Sequence, residues 1–527
     1  MKLNPARKSL MDAWRERVAA LTPDQRRIGW LLFFITLLGA ALRLYRLGYQ
    51  ALWYDEATTW VHISSPSLGG MLARLGPDWQ QPLHFILLYA TTPWLGASEF
   101  ALRLPSALAG TLAIPAGFLL GRRMFGTREG LLAAALLAVL RVPIFYSQEA
   151  RAYAWLMLLS ILSAYYWWHW VQHILQGLAW PRRSILLYLL FGLLAAYTHA
   201  FGLVVLLFQA VWVGWVCLRH GGLWRAIGWN ALVIPGYALW WAPLLAGARV
   251  RGEQVAWDPP NTGTLIYYFK ILFNNSEFRQ FQILPFWIGM ALVAAGLLLT
   301  LARSLRVHGR RAFWPLAFSP QAASLWMGVA PMLFLYVYSI FVYPVFSIRY
   351  PIGTYAFIYM LAAHGLLALP VPRLKGMDVR AILAAAWVAF LLFDLFAVDQ
   401  YYFHATKQDS RAIMVNLVDV RNETPDAYIV VCADRESIDY YLSQWGIADP
   451  FDERLCYAPD YEQVDLPAAE ARALAAGAPV FAIGHSLRGT GQTELDYFGD
   501  RYCRLSFEEF LRGHVAVFDL AAGPDCP

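Results

Sequence analysis

Long apolar runs separated by short polar segments dominate the chain. Eleven of these runs approach the length of about 20 residues with which an apolar helix crosses a bilayer. They lie near residues 28–47, 101–120, 129–146, 151–172, 184–200, 201–218, 227–246, 284–302, 322–343, 352–369 and 380–398. The pattern therefore predicts a polytopic α-helical membrane protein.

A further apolar run, Pro82 to Leu95, is only 14 residues long. That length is short for a span and is typical of an interfacial or re-entrant segment. We therefore place it in a long first loop, residues 48–100, and predict juxtamembrane helices there with aromatic side chains at headgroup level.

Basic clusters fall in alternate loops if there are eleven spans. They are the N-terminal segment (residues 1–27), then Arg122 with Arg123 and Arg128, Arg182 with Arg183, Arg219 with Arg225, Arg303 to Arg311, and Arg373 to Arg380. The positive-inside rule assigns these loops to the cytoplasm. The N-terminal segment is long, polar and basic, and no small-residue cleavage site follows the first apolar run, so we interpret that run as an anchor.

This topology predicts the outer side for the other loops and for the C-terminus. The outer set comprises the first loop, the 141–151 turn, His199, the 247–283 loop, the Arg349 turn and residues 399–527. We thus expect a cytoplasmic segment (1–27), a membrane module (28–398) and an extracytoplasmic domain (399–527) in the cytoplasmic membrane.

Residues 399–527 have a different pattern. Apolar strands are predicted at 428–431, 480–483 and 515–518, and they alternate with helical stretches at 409–421 and 438–445. Such alternation indicates a small α/β domain. Four of the five cysteines lie here (Cys432, Cys456, Cys503 and Cys526), and one or two disulfides are expected on the outer side.

Composition supports the membrane interpretation. The chain is 59% hydrophobic and only 15% charged, whereas ordinary soluble domains carry about 25% charged residues. The net charge of +6 is concentrated in particular loops, so it does not indicate a nucleic-acid partner. The lipid bilayer is the expected surrounding.

The first candidate for chemistry is the acidic pair Asp55-Glu56, which follows Trp53-Tyr54 shortly after the first apolar run. Carboxylates are costly near hydrocarbon, so an acidic pair at the mouth of a helical bundle is a candidate functional site. A solvated loop after a helix end explains the same pattern, and the pair alone does not separate these readings.

Other polar residues cluster in the predicted outer loops. They are Asp78 and His84 in the first loop, Gln148, Glu149, Arg151 and Tyr153 in the next, then His199, Lys270, Arg349 and Tyr350. Glu149 and Arg151 could simply neutralise each other in a turn, and a lone His199 is more often a satisfied interfacial residue. Arg349 is the only charged residue between Arg311 and Arg373, which favours a functional role.

The order of these motifs resembles the GT-C membrane glycosyltransferases of the protein O-mannosyltransferase and lipid A aminoarabinose transferase type. The resemblance rests on six stretches: Asp55-Glu56, Pro82-Leu83-His84-Phe85, residues 103–110, residues 147–153, Tyr197-Thr198-His199, and Ser347 to Pro351. One departure is Gln80-Gln81-Pro82-Leu83, where the family commonly has His-Pro-Pro-Leu.

The resemblance implies transfer of a sugar from a polyprenyl monophosphate carrier to an acceptor hydroxyl outside the cytoplasmic membrane. It implies Asp55 as the catalytic base. We expect Glu56 to act as its partner or as a ligand for acceptor hydroxyls. Arg151 and Arg349, with Lys270 as a weaker third, are expected to bind the donor phosphate, because guanidinium groups pair with phosphate oxygens in forked hydrogen bonds.

The remaining polar residues are expected to contact the substrates: Asp78, His84, Gln148, Glu149, Tyr153, His199 and Tyr350. The acceptor is a glycan, lipid or protein of the cell envelope. Single displacement would invert the anomeric carbon. The acidic residues are too scattered to argue a metal site, and a divalent metal is left open. Alternatives are a transporter of lipid-linked sugars and an oligosaccharyltransferase that uses a diphosphate carrier.

Overall fold

The computed structural model describes residues 22–240, 259–273, 283–374, 376–455, 465–485, 492–524 and 526. Most of the predicted N-terminal segment, the end of the predicted 227–246 span, much of the 247–283 loop and Cys456 lie outside these residues. The described part before residue 399 is almost entirely helical, and an α/β unit follows it.

The α-helices before residue 399 match the predicted apolar runs and fill the first loop with short helices. They are Pro23–Leu44, Tyr54–Ile63, Leu68–Leu75, Pro82–Leu95, Glu99–Met124, Thr127–Val139, Arg141–Ser147, Tyr153–Leu175, Arg182–Thr198, Phe201–His220, Leu223–Ala231, Thr262–Ile271, Leu284–His308, Phe313–Ala317, Pro320–Phe341, Tyr355–Ala368 and Val379–Phe393.

Among the described residues, seven helices are long and apolar enough to cross a membrane, or eight if the bent pair Thr127–Val139 and Arg141–Ser147 is one span. The eleven predicted spans include all of these. Two others, Tyr153–Leu175 and Arg182–Thr198, are helices that do not meet the same criteria, and the second has only 17 residues. The last, 227–246, continues outside the described residues.

The bend between Thr127–Val139 and Arg141–Ser147 measures 57°, and buried polar side chains stabilise it. A helix end leaves carbonyl groups without partners. Arg43 donates to the Leu137 and Ala138 carbonyls at the break, at 2.8 and 3.2 Å. Gln148 in turn donates to the Arg43 and Tyr45 carbonyls at the end of the first helix. The first helix and the turn after Ser147 are thereby held together.

Strands β1 (Arg373–Leu374) and β2 (Met377–Asp378) form a separate hairpin before the α/β unit. The strands of the unit are β3 (Tyr428–Cys432), β4 (Glu453–Leu455), β5 (Val480–His485), β6 (Cys503–Phe510) and β7 (Gly513–Asp519). They form a five-stranded mixed sheet in the order β4-β3-β5-β7-β6. The helices of the unit are Ser410–Glu423, Arg435–Trp445, Leu466–Ala475 and Gln492–Gly499. The three predicted strands are confirmed; β4 and β6 were not predicted.

The sheet pairs β3 in parallel with β4 and β5, and β7 antiparallel to β5 and β6. A disulfide joins Cys503 to Cys526, and Cys432 is also disulfide-bonded. The unit packs on the first loop: the Tyr441 hydroxyl accepts from the Leu52 amide at 2.9 Å, and Arg411 pairs with Glu99 at 3.1 Å. The α/β unit therefore covers part of the loop that carries the acidic pair.

Helices Leu284–His308 and Tyr355–Ala368 cross at two glycines, Gly296 and Gly365. A Cβ added at Gly365 would lie 1.7 Å from the Leu292 carbonyl oxygen, and one at Gly296 would lie 3.0 Å from the Cα of Gly365. The obstacles are backbone atoms, which cannot rotate away. Small residues permit this close approach of helices.

We expect Gly365→Ala to destabilise the protein by about 1–3 kcal/mol, because overpacking a tight contact forces backbone shifts. The measurement is the midpoint of thermal unfolding in detergent. Gly228→Ala is the matched control, since it lies in a helix and a Cβ there meets nothing within 4 Å. Equal midpoints for the two variants would contradict the close helix crossing.

Candidate active site

The two carboxylates of the acidic pair occupy different environments, although they are neighbours in the chain. Helix Tyr54–Ile63 begins after Trp53, which has an extended conformation, and both acids lie in its first turn. Acidic side chains near the N-terminus of a helix stabilise it, because that end of the helix dipole is positive. Successive helical positions point about 100° apart, so the Asp55 side chain is 17% exposed whereas that of Glu56 is fully buried.

Glu56 is held in a closed ion-pair cluster. Arg103 donates from Nε and Nη2 to its two oxygens at 2.8 and 2.7 Å, Lys407 Nζ lies 3.0 Å away, and the Ala150 amide donates at 2.7 Å. A carboxylate has about four lone-pair sites, and all four are used. Glu56 therefore has no oxygen left for an acceptor hydroxyl, contrary to its expected role as an acceptor ligand.

The electrostatics agree with this geometry. Burial alone would raise the pKa of Glu56, but the charges of Arg103 and Lys407 outweigh it and lower that pKa to about 2. Glu149 lies 3.8 Å from Lys407, and burial raises its pKa to about 7. The Glu149–Arg151 neutralisation considered from sequence is replaced by a Glu149–Lys407 pair.

Asp55 faces two guanidinium groups contributed by distant parts of the chain. Arg349 Nη1 lies 2.6 Å from Asp55 Oδ2, and Arg151 Nη2 lies 4.0 Å from the same oxygen. Arg151 is also held by the Asp55 carbonyl and the Thr59 hydroxyl. Burial favours the neutral acid, but Arg151 and Arg349 outweigh it and hold the pKa of Asp55 below its usual value.

Aromatic rings surround this charged group. The Arg349 guanidinium lies 5.6 Å from the ring centroid of Tyr153 and 5.7 Å from that of Trp53. His199 contacts Tyr350 with ring centroids 4.6 Å apart, and Tyr153 stacks near Tyr350 at 6.5 Å. Three of the predicted substrate-contacting residues, namely Tyr153, His199 and Tyr350, are thus brought to the Asp55 group.

Other predicted residues are placed differently. Asp78 pairs with His62 at 2.8 Å. Gln148 is occupied by the carbonyls at the end of the first helix and by the Tyr401 hydroxyl, at 2.9 Å. Lys270 has no hydrogen bond or ion pair with any described residue, so the structure does not bring it to Asp55. These three are not arranged as substrate or phosphate ligands.

His84 is buried near the 148–151 turn, and burial lowers its pKa to about 3. Its ring lies against the Ala150 backbone, and the charge of Arg151 adds to the effect of burial. His84 is therefore a neutral, buried side chain that packs behind the turn that carries Arg151.

The sequence reasoning missed Arg103 and Lys407. Arg103 stands near the start of an apolar span, where a charged residue implies a buried partner, so a signal for it was present. Lys407 lies in polar sequence between the last membrane helix and the α/β unit, and nothing in the pattern distinguishes it. Within the described ranges, no group of three or more His, Cys, Asp or Glu side chains could hold a metal ion.

Comparison with known proteins identifies the fold. No family model matches the chain, and no curated protein matches it in sequence. The chain is similar in structure to ArnT from Cupriavidus metallidurans in the apo state, with a TM-score of 0.53, 13% identity, and 94% of this chain and 99% of that chain covered. ArnT from the same organism bound to undecaprenyl phosphate gives a TM-score of 0.51 at 13% identity with the same coverage.

At this identity the likeness establishes the fold. The chain has the GT-C membrane fold with a small C-terminal α/β region, as the sequence resemblance implied. The coverage extends over nearly the whole of both chains, so the similarity includes the first loop and the C-terminal unit as well as the helical bundle.

The different surroundings of the two acids predict different effects on stability. Glu56→Gln leaves Arg103 buried without its ion-pair partner and removes the nearer of the two carboxylates beside Lys407. Breaking a buried ion pair costs about 3–5 kcal/mol. Asp55→Asn removes a partly exposed charge beside Arg349, and we expect a much smaller change. Thermal unfolding of both variants in the same detergent measures the difference. A Glu56→Gln midpoint equal to that of Asp55→Asn would show that the cluster does not stabilise the fold.

Proposed function

We propose that the chain is an inverting glycosyltransferase that moves a sugar from a polyprenyl monophosphate carrier to an acceptor hydroxyl on the outer face of the cytoplasmic membrane. The observation that carries the proposal is the contact between Asp55 and Arg349, residues 294 positions apart, with Arg151 on the same carboxylate. A carboxylate can accept the proton of an attacking hydroxyl, and two adjacent guanidinium groups can bind a leaving phosphate. The grouping of Asp55, Arg151 and Arg349 therefore matches such a reaction.

The donor phosphate is proposed to bind Arg151 and Arg349. Two guanidinium groups against one carboxylate leave a net positive charge, and Arg349 Nε is buried without a partner among the described residues. Such a donor, fixed before the reaction, stabilises the charge that develops on the leaving phosphate. The ArnT structure with undecaprenyl phosphate supports a carrier of this class.

Asp55 is proposed to accept the proton of the acceptor hydroxyl as that oxygen attacks the anomeric carbon. In the absence of donor, Arg151 and Arg349 depress the pKa of Asp55 and so make it a weak base. An arriving phosphate adds negative charge beside the carboxylate and raises its pKa toward the working range, because a like charge disfavours the ionised form. Donor binding would therefore activate the base.

The sugar is proposed to lie against the rings of Tyr153, His199 and Tyr350. The Tyr153 and Tyr350 rings border the Arg349 guanidinium, and His199 contacts Tyr350. The rings offer apolar faces to the C–H groups of a pyranose. Attack by the hydroxyl from the side opposite the phosphate forms the new C–O bond as the phosphate oxygen leaves, and the configuration at the anomeric carbon inverts.

The outer location is supported by the α/β unit, which contains the Cys503–Cys526 disulfide and packs on the loop that carries Asp55. Disulfides persist in oxidising compartments. Residues 1–27 are then cytoplasmic, and residues 399–527 are extracytoplasmic. The acceptor is a glycan, lipid or protein of the envelope, and a divalent metal is not required by any step described above.

A transporter of lipid-linked sugars is not favoured. Transporters commonly consist of two similar halves around a site near the membrane midplane, whereas here the charged group lies in a loop outside the long helices, covered by an α/β unit. An oligosaccharyltransferase with a diphosphate carrier differs in the charge of its leaving group, and donor binding assays separate the two.

Asp55→Asn should lower sugar transfer by about 10²–10⁴-fold, the usual contribution of a general base. The assay follows label from radiolabelled undecaprenyl-phosphate sugars into membrane acceptors. Asp378→Asn is the matched control, since this residue also pairs with arginines but at the cytoplasmic hairpin. Near-normal transfer by Asp55→Asn would assign the base elsewhere, and binding without transfer by the unmodified protein would indicate a carrier.

Arg349→Ala should weaken binding of undecaprenyl phosphate by about 10- to 100-fold, because a hydrogen bond to a charged group contributes about 1.5–3 kcal/mol. Binding is measured with the detergent-purified protein. Arg225→Ala is the control, since Arg225 stacks on Trp180 in another loop. An unchanged affinity for Arg349→Ala would remove this residue from the phosphate site.

A further inference from the structure

An open cavity lies between three long helices, far from Asp55. It has a volume of about 300 Å³ and is bounded by Leu284–His308, Pro320–Phe341 and Tyr355–Ala368. Most of the surface of these helices is apolar, so a cluster of polar side chains around a cavity at their ends needs a reason. It is lined mainly by Thr300, Arg303, Ser304, His308, Gln321 and His364.

The polar groups of this cavity include more donors than the protein itself uses. Arg303 gives one N–H to the Ala368 carbonyl at 3.1 Å and has no ion pair within the described ranges. The Ser304 hydroxyl is buried without a partner in the same ranges. Gln321 lies 3.0 Å from His364 Nε2, which orders the cavity wall. A ligand that supplies acceptor oxygens would satisfy these groups.

The charge of the surroundings is positive. The sequence contains no Asp or Glu from residue 278 to residue 377, yet Arg303, Arg306, Arg310 and Arg311 follow one another within that stretch. Of these arginines, Arg303 lines the cavity, and no carboxylate stands in this stretch of sequence to compete for it. The cavity therefore favours a bound group with negative charge.

The cavity lies at the membrane face opposite the candidate active site. From Arg349 the chain passes through one 3₁₀ segment, Tyr350–Thr354, and then ten residues of α-helix to His364. The rise per residue gives roughly 25 Å, close to the thickness of about 30 Å of the hydrocarbon core. The cavity is therefore a separate site.

The helices that bound the cavity expose apolar side chains. Val307, which lines the cavity, is 75% exposed, and Leu301 and Leu305 on the same helix are 41% and 49% exposed. Leu325 on the neighbouring helix is 40% exposed. Such a surface is suited to acyl chains beside a headgroup and is unfavourable for a small hydrophilic anion arriving from water.

We propose that this cavity binds the phosphate of an anionic phospholipid in the leaflet opposite the candidate active site. Arg303 and the Ser304 hydroxyl donate to the phosphate oxygens, and the acyl chains lie along Leu301, Leu305 and Leu325. Basic pockets between membrane helices bind anionic headgroups in this manner. The site is independent of the sugar-transfer chemistry, since it shares no residue with the Asp55 group.

The test is native mass spectrometry of the full-length protein in detergent, titrated with phosphatidylglycerol or phosphatidylcholine. We expect the first phosphatidylglycerol to bind at least tenfold more tightly than phosphatidylcholine. Arg303→Gln should weaken phosphatidylglycerol binding about fivefold, since one basic residue near a membrane surface contributes about that factor. Ser304→Leu should weaken it by filling the cavity without changing the charge.

Arg183→Gln is the matched control, because Arg183 is an exposed arginine on the same predicted membrane face and outside the cavity. It should bind phosphatidylglycerol as the unmodified protein does. Equal binding of the two lipids, unchanged binding by either cavity variant, or an equal loss in Arg183→Gln would overturn the proposal. Displacement of phosphatidylglycerol by glycerol 3-phosphate at similar concentration would assign the cavity to a soluble phosphate instead of a lipid.

Discussion

The fully buried carboxylate of Glu56 imposes the constraint on which the candidate site depends. An ionised group without water must have charge partners and hydrogen bonds on every lone pair. Arg103, Lys407 and the Ala150 amide supply them from three other parts of the chain. Arg103 also donates to the Leu47, Gln50 and Ala51 carbonyls. The start of helix Tyr54–Ile63 is thereby fixed, and with it the direction in which Asp55 points.

The two acids are thus suited to two different tasks, which one carboxylate could not combine, and the proposed reaction assigns proton transfer to Asp55. A group that holds four chain segments together must be saturated and dry, whereas a group that accepts a proton from a substrate must keep an accessible oxygen. Buried ion pairs add little net stability compared with apolar packing, but removing one partner is costly. The Glu56 cluster therefore fixes the conformation of the first loop, because other arrangements of this loop would separate the buried charges.

The sequence predicted features whose free-energy cost can be inferred from the pattern of apolar and charged residues. The apolar runs predicted the helices, and Arg349 was singled out because a lone charge in a long uncharged stretch has a cost that needs an explanation. Asp55 was singled out for the same reason. Lys407 was not, because a lysine in polar sequence costs nothing until the fold buries it. The hydrogen bonds of Gln148 were not predicted, since the helix-end carbonyls that occupy it come from residues about 100 positions earlier, and periodicity carries no information on such pairing.

Lys407 also limits what the α/β unit can do. It lies between the last membrane helix and the sheet, and its ammonium group is buried between Glu56 and Glu149. Displacement of the unit as a lid would extract this ammonium and leave two buried carboxylates with one cation fewer, in addition to breaking the Tyr441 and Arg411 contacts with the first loop. The first loss is costly because Lys407 and its two carboxylate partners are almost fully buried. The α/β unit is therefore part of the scaffold that positions Asp55, and the proposed reaction needs a substrate path that leaves this unit in place.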